Sequence, residues 1–218
     1  MLTSARIEWI KNFWKSFKFA FYCATHPLDG YWDLTHERRG SYAAANAILI
    51  LTIFAKLLKL QFTSFVIEPI DWENTNIFLH IASVLFPLVI WVLANWGLTT
   101  LFDGKGKLGQ IYMATCYCML PYPLIQIPLI FLSNVVTSEE KEFYSVLSAL
   151  SLIWVLFWIF LAMQQIHEFS VAKNVFFTFA SLFGMLVIVF ILLLFFSMIS
   201  QGVAYFISVG KEAMFRMS

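Results

Sequence analysis

The chain is organised by where charge is missing. Asp, Glu, Lys and Arg are absent from residues 74–102 (29 residues), 108–138 (31), 143–167 (25) and 174–210 (37). A helix needs about 20 mostly apolar residues to cross the hydrocarbon of a bilayer, so each tract is long enough to span it. A fifth uncharged tract, residues 40–55, has only 16. Lys56 and Lys59 near its end can lift their ammonium groups to the interface, which lets it count as a span as well. The pattern therefore predicts transmembrane helices over 41–61, 77–101, 111–132, 144–165 and 174–200. Helices satisfy their own backbone hydrogen bonds in lipid, and the short alternating strands of a membrane barrel do not occur in the pattern.

The flanks read differently. Ile7, Ile10, Phe13, Trp14, Phe17 and Phe21 recur at helical spacing, with Lys11, Lys15 and Lys18 on one flank. This predicts an amphipathic helix lying in the membrane interface with its basic flank toward anionic lipid. Residues 203–217, punctuated by Gly202 and Gly210, read as a second interfacial segment, with one long helix over 174–210 as the alternative. The expected class is all-α: a polytopic membrane protein of five transmembrane helices with an N-terminal interfacial helix. Its parts are residues 1–40 (helix and polar collar), 41–200 (transmembrane domain) and 201–218 (C-terminal interfacial segment).

Composition agrees with that class. The 218 residues are 61% apolar and 12% charged, where ordinary globular chains are about 45–50% and about 25%. Lys and Arg number 14 and Asp and Glu 13, a net charge of +1, so no global field draws nucleic acid or an acidic substrate. With the N-terminus inside, the flanks on that side carry nine Lys and Arg against five on the other, which predicts a cytoplasmic N-terminus and an outside C-terminus in the cell membrane.

Candidate chemistry is sparse. Residues 104–109, GKGKLG, match the dinucleotide fingerprint GxGxxG. That motif needs a strand before it and a helix after it in a parallel sheet, whereas here it lies between two spans, so the glycines are expected to shape a tight hairpin. Cys23, Cys116 and Cys118 give neither a disulfide framework nor zinc spacing, and packing is their expected role. Residues 26–40 hold two His, three carboxylates and two Arg; a solvated collar anchored by Tyr31 and Trp32 at the headgroups is preferred over a metal or phosphate site. Asn46, His80, Asn95, Gln126, Gln164 and Gln165 are polar groups within spans, suited to hydrogen bonding between helices. No Asp, Glu or Arg falls at mid-membrane, which argues against an ion-coupled pump. Pro121, Pro123 and Pro128 prevent a straight third span.

Four stretches together resemble a known family: HPLDGYWDLTHERRGS (26–41), ANWGLTTLFDGKGKLGQIYMATCYCMLPY (94–122), SNVVTSEE (133–140) and QQIHEFS (164–170). They resemble the bacterial branch of the Yip family, membrane proteins related to the Ypt/Rab-interacting proteins of vesicle traffic. The resemblance implies five transmembrane helices and a cytoplasmic N-terminus. It carries over no catalytic residue and no cofactor. Eukaryotic members are credited with binding prenylated small GTPases and shaping membranes, roles that use a larger cytoplasmic N-terminal region than the 40 residues found here. Bacterial members resemble accessory proteins of carbohydrate uptake systems of the ABC type.

The residues expected to carry function lie at the cytoplasmic interface: His26, Asp29, Trp32, Asp33, His36, Arg38 and Arg39 of the collar, Asn95, Trp96, Asp103, Gly104 and Gly106 around the hairpin, and His167 and Glu168. The expected function is a non-enzymatic accessory or scaffold protein. Its partners would be the lipid bilayer and another integral membrane complex, an ABC-type sugar permease being the one the resemblance suggests; no cofactor, metal, nucleic acid or soluble substrate is implied. The alternative is a small-solute or lipid transporter in its own right. A third reading gathers His26, Asp29, Asp33, His36 and His167 around a metal.

Overall fold

The structure is a computed structural model that describes residues 2–37, 39–69, 75–102 and 104–217. Its elements, in chain order, are α1 (Leu2–Thr25), α2 (Pro27–His36), α3 (Tyr42–Phe62), α4 (Ile77–Leu101), α5 (Leu108–Cys118), α6 (Pro121–Ser133), a short 3-10 turn at Ser138–Glu140, α7 (Lys141–His167) and α8 (Val171–Met217). Five passages are long and apolar enough to cross a membrane, with α5 and α6 forming one of them. Each coincides with a span expected from the charge-free tracts. α3 starts on Ser41, whose side chain accepts the Ala44 N–H at 3.2 Å, and α4 starts on Asn76, which accepts the Phe78 N–H at 2.9 Å. These caps satisfy backbone donors that a helix cannot satisfy itself.

Consecutive passages run antiparallel and define two ends. The proximal end gathers residues 36–37, 39–42, 104–108 and 167–171; there Glu168 meets both His36 and Lys105. At the distal end the Ser64 N–H donates to Ser133 Oγ at 3.2 Å and Asn134 donates to the Phe62 carbonyl at 3.3 Å. The surface in between is apolar. Phe54, Phe78, Phe131, Phe157, Phe183 and Phe196 are all more than half exposed, which only a hydrocarbon solvent makes acceptable on this scale.

The third passage is broken, as its prolines require. Pro121 and Pro123 lack the N–H groups that would bond the carbonyls of Tyr117 and Met119. Those carbonyls instead accept shorter-range bonds from Leu120 (3.2 Å) and Tyr122 (3.1 Å), and the chain restarts as α6. Side-chain amides and hydroxyls then join the passages: Gln126 Nε2 donates to Ser148 Oγ (3.0 Å) and Ser151 Oγ (2.8 Å) on α7, and the Tyr112 hydroxyl donates to Asn46 Oδ1 at 2.5 Å.

Residues 26–40 depart from the expected collar. Most of this stretch is α2, which folds back on α1 and packs against α7. Tyr31, expected at the headgroups, is fully buried, with its hydroxyl accepting from Cys118 Sγ at 3.0 Å. The physical reason is a short helical stripe, Gly30, Tyr31 and Leu34, whose three residues are all buried. At Gly30 a Cβ would fall 2.8 Å from the Cys23 Cα, so glycine sets the distance between α1 and α2. The hairpin also runs deep. Trp158 Nε1 donates to the Cys23 carbonyl at 3.3 Å, nine residues and hence about 13 Å along α7 from His167. One core of the proximal half results, in which Ala20, Cys23, Tyr31 and Leu34 meet Ile48, Ile111, Tyr117 and Met163.

α1 turns Ser16, Ala20 and Cys23 inward and leaves Ile10, Trp14 and Phe21 exposed. Of the aromatic face identified in the sequence, these three residues stay uncovered, whereas Phe17 packs against the core. At the other terminus α8 runs unbroken from Val171 to Met217 through Gly202 and Gly210, where a separate segment after residue 200 was expected. The uninterrupted helix of the alternative is the one formed, and it extends further, to residue 217.

Candidate functional site: a polar latch at the proximal end

Most of the proximal candidates converge on the end of α7. The helix stops because Glu168 adopts the left-handed conformation (φ 54°, ψ 39°), and the Phe169 N–H reaches back to the Gln164 carbonyl at 3.1 Å. A non-glycine residue in that region carries backbone strain that its surroundings must hold. Here Lys105 donates to the Glu168 carboxylate from one side, and His36 Nε2 stands 3.4 Å away on the other. The Lys105 hydrogen bond and charge, followed by the influence of His36, hold the Glu168 carboxyl below its ordinary range.

His167 points inward, 2% exposed. Its Nδ1 accepts the Gly106 N–H at 3.2 Å, so the ring proton sits on Nε2, which donates to Asn95 Oδ1 at 3.0 Å. The Asn95 amide then donates to Ser181 Oγ on α8 at 3.1 Å. One neutral imidazole therefore ties together the 104–107 loop, α4, α7 and α8. Thr99 completes the corner by donating to the Asn95 carbonyl at 2.7 Å and accepting the Gly104 N–H on its own carbonyl at 2.8 Å. The ring also stacks on Phe169 at 5.1 Å, which stacks on Phe177 at 4.9 Å beneath the Lys173 ammonium, 4.4 Å from the Phe169 centroid.

This arrangement corrects the reason assigned to the glycines. Among the described residues no glycine has a positive φ, so Gly104 and Gly106 do not serve a special turn conformation. They serve close approach: a Cβ on Gly104 would lie 2.7 Å from Thr99 Cβ, and one on Gly106 would lie 2.5 Å from His167 Cε1. The loop lies on the imidazole, and only glycine leaves room.

The collar candidates separate into two groups. His36 joins the latch through Glu168, with Trp32 stacked on its ring at 3.7 Å. Arg39 pairs with Asp33 at 2.7 Å and Glu37 at 3.0 Å. His26 and Asp29 lie at the opposite end of α2, at the hairpin tip; His26 stacks on Tyr22 at 5.0 Å and its Nδ1 meets Thr25 Oγ1 at 2.9 Å. That separation does not bring His26, Asp29, His36 and His167 to one centre, and among the described residues no three His, Cys, Asp or Glu side chains are grouped to hold a metal. Trp96, next to Asn95 on α4, has an exposed side chain, and its carbonyl accepts from Thr99 Oγ1 at 3.4 Å. Arg38 and Asp103 lie outside the described residues. Thr99, Ser181 and Lys105 were missed as candidates. Thr99 and Ser181 are ordinary hydroxyls within apolar tracts, and nothing local distinguishes them from others that merely bond back to their own helix.

A family model described as the Yip1 domain matches residues 21–206, which contain both the α2 corner and the whole latch. The chain belongs to the Yip1 family. Neither a curated protein nor a solved structure matches it. This Yip1-domain protein is a multi-pass membrane protein, and its family is one of membrane accessory proteins that is not known as an enzyme family. The inner polar atoms of the latch are bonded to one another, and the network spans several elements.

Proposed function

We propose that this Yip1-domain protein is a non-enzymatic scaffold of the bacterial branch, seated in the cell membrane with its proximal end cytoplasmic, and docked on another integral membrane complex. The observation that carries the reading is α8. Its 47 residues lean chiefly on α4, and no residue of its most apolar stretch is buried. At 1.5 Å per residue it is about 70 Å long, well beyond the roughly 30 Å of hydrocarbon it would cross. Val203, Tyr205, Phe206, Ile207 and Val209 are exposed beyond the part of α8 that matches the other spans in length. Apolar surface that the bilayer cannot cover calls for a protein partner. A transmembrane permease of an ABC-type sugar importer is the partner that the family resemblance suggests.

Photo-crosslinking tests this directly. A benzoylphenylalanine at Phe206 should capture one membrane partner in cells, and truncation after Ser200 should abolish its co-purification in mild detergent. A chain that always emerges alone, with sugar uptake unchanged after deletion, would overturn the reading.

A further inference from the structure

A cavity of about 690 Å³ lies between α3, α4, the α5–α6 break, α7 and α8, away from the latch. It is in the size range of small-molecule sites, roughly 300–1,000 Å³. Its wall runs along α4 from His80 to Trp91, eleven residues or about 16 Å. The body is apolar. Polarity is concentrated toward the distal end, where Lys56, Lys59, Glu68, His80 and Ser83 line the mouth. Leu156 of α7 and Leu182 of α8 line the cavity while remaining 66% and 46% exposed, so it opens sideways to lipid between these two helices.

The lysines decide the occupant. In place of free snorkelling, the Lys56 ammonium is held at 2.5 Å by Ser83 Oγ, and among the described residues it forms no ion pair. Lys59, one turn on, reaches Ser148 Oγ at 3.2 Å and shares the exposed Glu68 carboxylate at 3.4 Å. Among the described residues, two ammonium groups stand against one carboxylate, a positive mouth above an apolar channel below the membrane surface, where an uncompensated cation is costly. We infer that the cavity holds an acyl chain of a membrane lipid whose anionic headgroup rests on Lys56 and Lys59. A lipid fits better than a soluble anion because the entrance faces hydrocarbon and the cavity body offers apolar contact. The inference is independent of the docking role proposed for α8.

Native mass spectrometry of the full chain in mild detergent, with added phosphatidylglycerol or phosphatidylcholine of equal chain length, tests it. The wild type should retain one phosphatidylglycerol in preference, by about fivefold for each lysine. Lys56→Gln with Lys59→Gln should reduce that preference to parity, and the paired Lys→Arg variant should keep it. Leu156→Trp, which narrows the lateral opening without touching a charge, should lower retention of both lipids. Soluble glycerol phosphate should fail to displace bound phosphatidylglycerol. Equal retention of the two lipids by the wild type, an unchanged preference in a folded Lys→Gln pair, or full displacement by glycerol phosphate would each overturn the inference.

Discussion

Alanine at Gly106 isolates the physical basis of the latch. The backbone there is not left-handed, so alanine fits the chain conformation and any cost must come from contact. Its Cβ would stand 2.5 Å from His167 Cε1, 2.7 Å from Ile166 Cγ2 and 2.9 Å from His167 Nδ1. Real side-chain carbons do not approach so closely, so the loop must retreat. Overpacking of this kind costs about 1–3 kcal/mol. The retreat also lengthens the 3.2 Å bond from the Gly106 N–H to His167 Nδ1, leaving a buried acceptor unmatched at about 1–3 kcal/mol. Partial relaxation makes the sum about 2–4 kcal/mol, or roughly 5–15 °C in Tm for a chain of this size. Gly97→Ala is the control. It lies inside α4 with nothing within 4 Å of its would-be Cβ, and alanine should gain up to about 1 kcal/mol in helix propensity. Thermal unfolding in one detergent, followed by tryptophan fluorescence and size exclusion, measures both. Adding His167→Ala to Gly106→Ala should recover part of the loss, because the ring that the new methyl strikes is gone. Equal Tm values for Gly106→Ala and Gly97→Ala would refute close approach as the reason for the glycine.

Other consequences are testable on the same preparation. A double-mutant cycle of Asn95→Ala and Ser181→Ala should give a coupling of about 0.6–1.7 kcal/mol, the range of hydrogen bonds between membrane helices; zero coupling would remove Ser181 from the latch. Because the Glu168 pKa is lowered in the folded chain, its contribution is fully present above the ordinary carboxylate range and is lost as pH falls through the lowered folded value. Glu168→Gln should therefore flatten the acid limb of a Tm-against-pH curve, and an acid limb identical to wild type would exclude the ion pairs as its source. Glu168→Gly should lose less stability than Glu168→Gln, since glycine relieves the left-handed strain while both remove the charge. Burial pushes the Cys23 thiol up to about 12, and all three cysteines are buried. N-ethylmaleimide at neutral pH should leave the folded protein unmodified and label all three sites after denaturation; fast labelling of Cys23 in the folded state would place it outside the core.

The candidate site was legible in part. Asn95, Gly104, Gly106, His167 and Glu168 stood out because each is unusual for its place: a polar residue at the edge of an apolar tract, or a pair of glycines beside a span. Their partners were hidden. Thr99 and Ser181 look like any hydroxyl in a membrane helix, and only the approach of α4 to α8 makes Ser181 an acceptor for Asn95. The collar misled for the opposite reason. His26, Asp29, Asp33 and His36 suggest solvent by composition, yet Gly30, Tyr31 and Leu34 supply a narrow buried stripe that charge counting overlooks.

By itself, the sequence determined the membrane class, the five passages and the break in the third. Bilayer thickness imposes a minimum apolar length, unsatisfied backbone groups exclude anything but helix in lipid, and proline removes a specific donor; each is a local constraint readable from consecutive residues. Only the tertiary structure decided that α1 and α2 fold into the bundle, that glycines cover His167, and that Lys56 turns toward Ser83 at the mouth of a cavity. Those outcomes depend on which residues distant in the chain come within a few ångströms of one another. That proximity is set by packing over the whole bundle, and no local pattern encodes it.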